Sequence, residues 1–234
     1  MPIEQFASEF ERIVTSGQDI EELASGFGLD MGPAEGPVWW KEGGYLLLSD
    51  IGNNRRMKWT PGQGVTRFHE PTNRTNGLTR DRQGRLLAFE HDARRVTRVE
   101  SDGSITVIAN RYHDRRLNRP NDVVVKSDGS IHFTDPMTFN VASELDFCGV
   151  YRVSPDLGTI NVLARDWVLP NGLAFSPDES ILYIFLCPLA YDEALVGAVR
   201  VENILSPAED SPRMHSDLGD LARDLTHTPD SWSR

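Results

Sequence analysis

The chain has 234 residues, with 24 Lys and Arg against 35 Asp and Glu, which gives a formal net charge of −11. So acidic a chain is a poor partner for nucleic acid or for an anionic membrane surface, whereas its carboxylates suit hard cations. A hydrophobic content of 39% and a charged content of 25% are typical of a folded globular protein and argue against global disorder.

The cysteine content and the first residues predict a reduced, cytoplasmic protein. Only Cys148 and Cys187 are present, which excludes a disulfide framework and a cysteine-rich zinc site. The first residues contain no basic segment followed by an apolar one, so we expect no signal peptide. No apolar run approaches the roughly 20 residues that a membrane-spanning helix needs.

Residues 1–32 are predicted to be a leader with a short helix and a closing strand. Ile3, Phe6, Phe10 and Ile13 recur at helical spacing, which indicates an amphipathic helix over residues 3–13. A frayed, partly ordered leader is the alternative interpretation of the same segment.

A sequence repeat begins near residue 33 and continues to residue 184. Its four copies start at Glu35, Asn76, Asn121 and Asn171, at offsets of 41, 45 and 50 residues. Each copy indicates a strand, an Asp-Gly-type turn and a second strand. Two further strands are predicted after each of the first three copies, at 55–59, 65–68, 95–100, 105–109, 149–153 and 159–163.

Four short strands in about 40 to 50 residues are typical of one blade of a β-propeller. We therefore predict an all-β fold in which residues 33–184 form about four recognisable blades, with a β-sandwich as the alternative. The repeat is not recognisable after residue 184, and residues 185–234 contain two glycines, Gly197 and Gly219. Residues 185–234 are therefore predicted to be an atypical or disordered tail. One more strand is predicted around Val199–Val201, and residues 205–234 are expected to be irregular or disordered.

Equivalent positions in successive blades form a ring around a propeller axis. The ring residues of the four copies are Glu35, Asn76, Asn121 and Asn171, and every one of these side chains carries an oxygen. One carboxylate and several amide carbonyls are suitable ligands for a hard cation such as calcium, which takes 6–8 oxygens. The alternative is that these residues only begin strands, because Asn-Gly and Asn-Asp pairs favour turns.

Other polar residues are candidates for the same channel. Asp50 and Asp135 follow strands at a similar register, and each either faces the channel or simply ends its strand. His91 is either a substrate contact or a surface residue. Arg119 either binds a substrate oxygen or pairs with Asp122. No Gly-rich phosphate loop, Gly-x-Ser-x-Gly elbow or His/Cys metal spacing is visible, which disfavours serine-triad and zinc hydrolases.

Five ordered motifs resemble the SMP-30/gluconolactonase family, which includes luciferin-regenerating enzyme, and especially its bacterial gluconolactonase-type members. The resemblance covers roughly residues 20–184. It implies a six-bladed propeller, hydrolysis of sugar lactones and a divalent cation in the channel, usually calcium, with zinc, magnesium and manganese as alternatives. The motifs are Ala34–Trp39, Glu90–His91 with Arg94–Arg98, Asn118–Val124, Phe133–Pro136 and Pro170–Asp178.

The resemblance also implies roles for individual residues. Glu35 and Asn171 would be metal ligands, Asn121 a metal ligand or substrate contact, and Arg119 a substrate contact. Asn76 and His91 are added as substrate-binding candidates from their positions in the repeat.

One family residue has no counterpart. The family's last metal ligand, which is also its usual general base, is an Asp in a Pro-Asp-Gly motif, and that motif is absent here. The catalytic carboxylate is therefore left unassigned, with Asp135 and also Asp50 as candidates to replace it. We therefore expect a truncated or altered family member, with weak or lost lactonase activity and self-association through incomplete propeller edges. A non-catalytic binding propeller, an inactive relic and a phosphotriesterase-like hydrolase are the alternative functions.

Overall fold

The computed structural model describes residues 3, 8–15, 17–29, 34–137, 142–165, 167–187 and 195–200. The single helix within these ranges is a five-residue 3-10 helix at Ser8–Arg12. The helix predicted over residues 3–13 therefore reduces to this short segment in the described part. No helix of the described residues is long and apolar enough to cross a membrane.

Four antiparallel sheets follow one another along the chain, and the strands of each sheet are in sequence order. Sheet I contains β1 (Glu35–Trp40), β2 (Tyr45–Asp50), β3 (Arg55–Thr60) and β4 (Gly64–His69). Sheet II contains β5 (Thr75–Arg80), β6 (Leu86–Glu90), β7 (Arg95–Val99) and β8 (Ile105–Ala109). A two-stranded ribbon, β9 (Arg111–Tyr112) and β10 (Arg115–Arg116), follows. Sheet III contains β11 (Val123–Val125), β12 (Ile131–Asp135), β13 (Gly149–Val153) and β14 (Ile160–Ala164). Sheet IV contains β15 (Pro170–Phe175), β16 (Ile181–Leu186) and β17 (Leu195–Arg200).

The all-β prediction is confirmed, and the six strands predicted after the first three copies agree with β3, β4, β7, β8, β13 and β14 to within one residue at either end. The sheet extends past residue 184, because β16 continues to Leu186 and pairs with β17 from Ile181↔Arg200 to Leu186↔Leu195. The strand predicted at Val199–Val201 overlaps β17 at Val199 and Arg200. The segment predicted to be irregular, 205–234, lies outside the described residues.

The turns of the repeat are closed by their own aspartates. Oδ1 of Asp128 accepts a hydrogen bond from the Ser130 backbone N–H at 2.8 Å, and Oδ1 of Asp178 accepts one from Ser180 at 3.1 Å. Gly129, between the first pair, has a φ of +90°, which side-chain-bearing residues rarely adopt. These turns are therefore stabilised by contacts within a few residues of the sequence.

Successive sheets pack face to face, and the first strand of each sheet lies beside the first strand of the next. Apolar clusters fill the interfaces between sheets II and III and between sheets III and IV. A smaller cluster of Leu47, Leu78, Leu86 and Ala88 lies between sheets I and II. Consecutive four-stranded sheets whose first strands adjoin are typical of β-propeller blades.

Candidate functional site

The opening residues of the first strands meet at a cavity of about 380 Å³. Glu35, Asn76, Asn121 and Asn171 all line this cavity, together with Asp122. The structure thus brings together, from four consecutive sheets, all four residues that share the ring position in the repeat.

Irregular strand pairing accompanies three of these ring residues. The register of the ladder between the first and second strands shifts within Glu35–Val38 in sheet I, Thr75–Leu78 in sheet II and Pro170–Leu173 in sheet IV. A bulge interrupts the alternation of a strand and re-aims its side chains, and bulges are frequent next to functional sites. The same local irregularity thus recurs at the ring position of three sheets.

Glycines after the ring residues allow neighbouring first strands to approach closely. A Cβ on Gly36 would lie 2.5 Å from the carbonyl oxygen of Asn76, and one on Gly77 would lie 2.5 Å from that of Asn121. The Gly77 N–H donates a hydrogen bond to the same Asn121 carbonyl at 2.8 Å. In β1 and β5 the glycine therefore allows strand-to-strand contact, and in β1 the φ of +54° at Gly36 is a second reason for glycine.

Sheet III carries Asp122 at the position where the other three sheets have glycine. Its carboxylate accepts hydrogen bonds from the backbone N–H groups of Val123 and Leu173, and a Cβ on Gly77 would lie 2.9 Å from its Oδ1. Burial raises the pKa of Asp122, and burial together with the charge of Asp122 raises the pKa of Glu35. Two carboxylates therefore face the cavity, whereas sequence reasoning identified one. The Asn-Asp pair among Asn-Gly pairs was the signal that marked it.

Thr134 is a second residue that sequence reasoning missed. Its side chain is fully buried, and its hydroxyl donates a hydrogen bond to the carbonyl oxygen of Asn171 at 2.7 Å. The same hydroxyl accepts the Asp122 backbone N–H at 3.2 Å, and the Thr134 carbonyl accepts the Asn121 N–H at 2.8 Å. One threonine thus fixes the backbone of three cavity-lining residues.

Arg119 and His91 lie close to each other but do not line the cavity. Nη2 of Arg119 is 3.5 Å from Oδ1 of Asp92, whose Oδ2 is 3.3 Å from Nε of Arg74. The ion pair of Arg119 is thus with Asp92 and not with Asp122. Burial and the charge of Arg119 lower the pKa of His91 to about 4, so its imidazole is neutral at pH 7. Substrate binding by these two residues stays a prediction.

Asp50 and Asp135 are buried strand-end residues outside the cavity lining. Asp50 accepts the Gly28 N–H at 2.7 Å and pairs with Arg55 at 2.8 Å. Asp135 accepts the Asn118 N–H at 2.7 Å, and burial raises its pKa to about 7. Asp135, a candidate for a catalytic carboxylate, therefore lies away from the ring. Its hydrogen bond to Asn118 anchors the loop before β11.

The donor set of the cavity fits a hard divalent cation. Two carboxylates, Glu35 and Asp122, share the lining with three asparagines, and each carboxylate is partly or largely withdrawn from water. A cation between them would offset their mutual repulsion. The lining residues that the structure describes include no His or Cys, and an all-oxygen set suits calcium or magnesium better than zinc.

Comparison with known proteins gives a consistent result. The SMP-30/Gluconolactonase/LRE-like region matches residues 33–187. A gluconolactonase from Zymomonas mobilis is 32% identical over 202 residues, which cover 78% of this chain and 55% of that protein. A pentonolactonase from Haloferax volcanii is 29% identical over 188 residues, which cover 76% of this chain and 60% of that protein.

Comparison with solved structures gives matches of the same kind. A gluconolactonase from Xanthomonas campestris is 36% identical with a TM-score of 0.64, over 71% of this chain and 57% of that chain. A calcium-binding regucalcin from Agrobacterium tumefaciens, 20% identical with a TM-score of 0.52 over 70% of this chain and 58% of that chain, supports the fold alone. The chain spans somewhat more than half the length of each of these relatives. Because the family match extends through all four sheets as far as β16, the chain belongs to the SMP-30/Gluconolactonase/LRE-like family.

Proposed function

We propose that this chain is a metal-dependent sugar-lactone hydrolase whose site is the cavity of about 380 Å³. The observation that carries the proposal is the convergence of Glu35, Asp122 and three asparagines from four sheets on that cavity. The gluconolactonase and pentonolactonase relatives support lactones as the substrate class. The volume lies within the range of about 300–1,000 Å³ that is usual for small-molecule pockets.

The architecture we propose is a propeller of the six-bladed family type, of which sheets I to IV are four consecutive blades. The adjoining first strands and the likeness to the Xanthomonas campestris gluconolactonase support it. Self-association through incomplete propeller edges also stays a prediction, and light scattering of the purified chain tests it. A sharp monomeric peak with cooperative melting would contradict it.

Glu35, Asn121 and Asn171 are the residues that would hold the cation, and Asp122 supplies a second negative charge beside Glu35. When bound, a divalent cation polarises the lactone carbonyl and stabilises the oxyanion that develops on it. We propose calcium, and titration with zinc, magnesium and manganese tests the alternatives. Asn76 has an amide that can donate to and accept from sugar hydroxyls.

Glu35 and Asp122 are the titratable side chains that line the cavity within the described residues. A carboxylate with a raised pKa is a better proton acceptor near neutral pH. Two backbone N–H groups orient Asp122, and we assign to its carboxylate the proton of the attacking water. Whether activity is weak or lost thus depends on whether Asp122, which lines the cavity, can take over the role of the missing Asp of the Pro-Asp-Gly motif.

Thermal melting of the full chain with added calcium tests the metal site. Calcium should raise the melting temperature, because a ligand that binds only the folded state stabilises that state. Glu35→Gln should abolish most of this rise. Glu42→Gln is the matched control, because Glu42 is an exposed carboxylate of sheet I that pairs with Arg80. Equal shifts in all three proteins would show that Glu35 is not a ligand.

Initial rates on glucono-1,5-lactone at saturating calcium test the reaction. Asp122→Asn should lower the rate by about 10²–10⁴-fold, the usual contribution of a positioned general base. A phosphotriester serves as the second substrate, and its preferential hydrolysis would favour the phosphotriesterase-like alternative. A calcium response without hydrolysis of either substrate would identify a binding propeller or an inactive relic.

A further inference from the structure

A second and larger cavity, of about 620 Å³, lies between sheets I and II. It shares no lining residue with the candidate lactone site. Trp40, Tyr45 and Phe68 of sheet I form an aromatic wall, and Trp40 and Tyr45 stack with ring centroids 6.0 Å apart. Leu86 and Ala88 of sheet II add apolar surface opposite them. This part of the cavity suits a flat apolar body.

Arg56 is the residue that gives this cavity its chemistry. Only 6% of Arg56 is exposed, and its Nε has no hydrogen-bond partner among the described residues. Arg56 lines the cavity. Burial lowers the pKa of Arg56 to about 10 and the nearby negative charge of Glu90 raises it, so the guanidinium is charged at pH 7. A buried charge without a hydrogen-bonded partner costs free energy, and such groups are normally paired.

The other permanent charges that line the cavity already have partners. Glu90 accepts a hydrogen bond from Nε of Arg95 at 2.8 Å. Glu100 accepts one from Nη1 of Arg85, also at 2.8 Å. Glu90 also attracts Arg56 but is bonded to Arg95. Among the described lining residues three arginines therefore face two carboxylates, and an anion would balance the third positive charge.

We propose that this cavity binds a small organic anion with a flat apolar body, such as an aromatic carboxylate. Its anionic group would lie on the Arg56 guanidinium, whose planar fork matches two carboxylate oxygens. Its apolar body would lie against Trp40, Tyr45 and Phe68. A volume of about 620 Å³ accommodates a ligand of drug-like size.

The probe for this site is 2-naphthoate, titrated into the full chain by calorimetry, with 2-naphthamide as the uncharged isostere. Saturable binding of naphthoate is expected, with the amide at least about tenfold weaker. Arg56→Gln should weaken naphthoate binding by about tenfold to a hundredfold, the usual range for a hydrogen bond to a charged group. Arg67→Gln is the matched control, because it removes an exposed guanidinium from β4 and should leave binding unchanged.

Naphthoate binding that is absent, or equal in the wild type and Arg56→Gln, would overturn the proposal. The melting temperature without ligand is the second measurement. If Arg56 serves an anion, its replacement should leave this temperature unchanged or raise it, because a buried charge without a hydrogen-bonded partner is removed. A marked drop would show that Arg56 stabilises the fold and would equally overturn the proposal. Glu35→Gln should bind naphthoate normally, which separates this site from the proposed lactone site.

Discussion

Between sheets II and III twelve buried side chains form a continuous core, whereas sheets I and II enclose a cavity of about 620 Å³ beside a cluster of four. In the filled interface the Phe133 ring lies 5.8 Å from that of Phe89 and 5.1 Å from that of Tyr151. In the interface between sheets I and II, called the open interface here, the charged side chain of Arg56 is buried beside the cavity instead of an aromatic ring. Interfaces between consecutive sheets can therefore have the same strand register and still differ in how completely side chains fill them.

Strand β6 shows how the difference arises. Leu87 and Phe89 belong to the core between sheets II and III, whereas Ala88 and Glu90 line the cavity on the other face. Successive side chains of a strand point to opposite faces, so one strand can serve two interfaces. The small side chain and the acidic one both face sheet I, and the cavity follows from that alternation.

The largest expected effect comes from removing a ring of the filled interface. Phe133→Ala should lower the free energy of unfolding by about 3–5 kcal/mol, because a buried aromatic group is lost and a cavity is left. Phe68→Ala removes the same group from the wall of the open interface, where Phe68 is 46% exposed, and should cost less than about 1 kcal/mol. Urea unfolding measures both, and similar losses would refute the contrast between the interfaces.

A buried acid beside the filled interface should make stability depend on pH. The pKa of Asp135 is about 7 in the folded chain against 3.8 when unfolded, so the folded state binds more protons between these values. Stability should therefore fall as the pH rises from 4 through 7, by up to about 4 kcal/mol. Asp135→Asn should flatten this fall between pH 5 and pH 8. Asp146→Asn, at an exposed carboxyl, should not.

The interface between sheets III and IV should show the opposite slope. Both ring nitrogens of His132 are withdrawn from water, and this burial lowers the pKa of His132 to about 4. The unfolded chain then binds more protons between pH 4 and 6.5. Stability should be lost as the pH falls through that window, by about 3 kcal/mol from this residue.

His132→Phe tests that slope and keeps an aromatic ring against Phe175, whose centroid lies 5.0 Å from that of His132. Chemical unfolding at pH 4.5 and 7 should show a smaller acid loss in this variant. His91 has a pKa lowered in the same direction, so part of the loss should remain. His113→Phe, at an exposed ring, is the control, and an equal change in both variants would contradict the assignment.

The smallest effect is expected at Thr134, whose hydroxyl connects sheets III and IV. Thr134→Val should cost about 1–2 kcal/mol, because the Asp122 N–H loses its acceptor and the Asn171 carbonyl loses its donor. Thr134→Ser keeps the hydroxyl and should recover most of that loss. A calcium-dependent melting shift reduced in the valine variant and restored in the serine variant would connect Thr134 to the cavity, and equal behaviour would separate them.

The hairpins and the ring were predictable because both depend on local register. The starts of β3, β8 and β13, at Arg55, Ile105 and Gly149, follow from short apolar runs between turn residues. Side chains at one register of a repeat converge wherever successive first strands adjoin, which brought Glu35 and Asn171 to one cavity.

The remaining features depend on the facing sheet, which no local pattern encodes. Asp122 accepts the N–H of Leu173 from sheet IV, and Thr134 donates to a carbonyl of the same sheet. Arg56 is an ordinary strand residue in the sequence, and its burial depends on sheet II. Such residues become visible only after two sheets are placed against each other.

The residue after the ring residue is glycine in three sheets and Asp122 in sheet III. The four repeats are therefore not exchangeable. A copy of sheet II inserted in place of sheet III would bring a glycine where Asp122 accepts the Leu173 N–H. A copy of sheet III inserted in place of sheet II would put a side chain at the position of Gly77, where even a Cβ would lie 2.5 Å from the Asn121 carbonyl oxygen. Blade shuffling in this scaffold must therefore preserve the order of the repeats as well as their register.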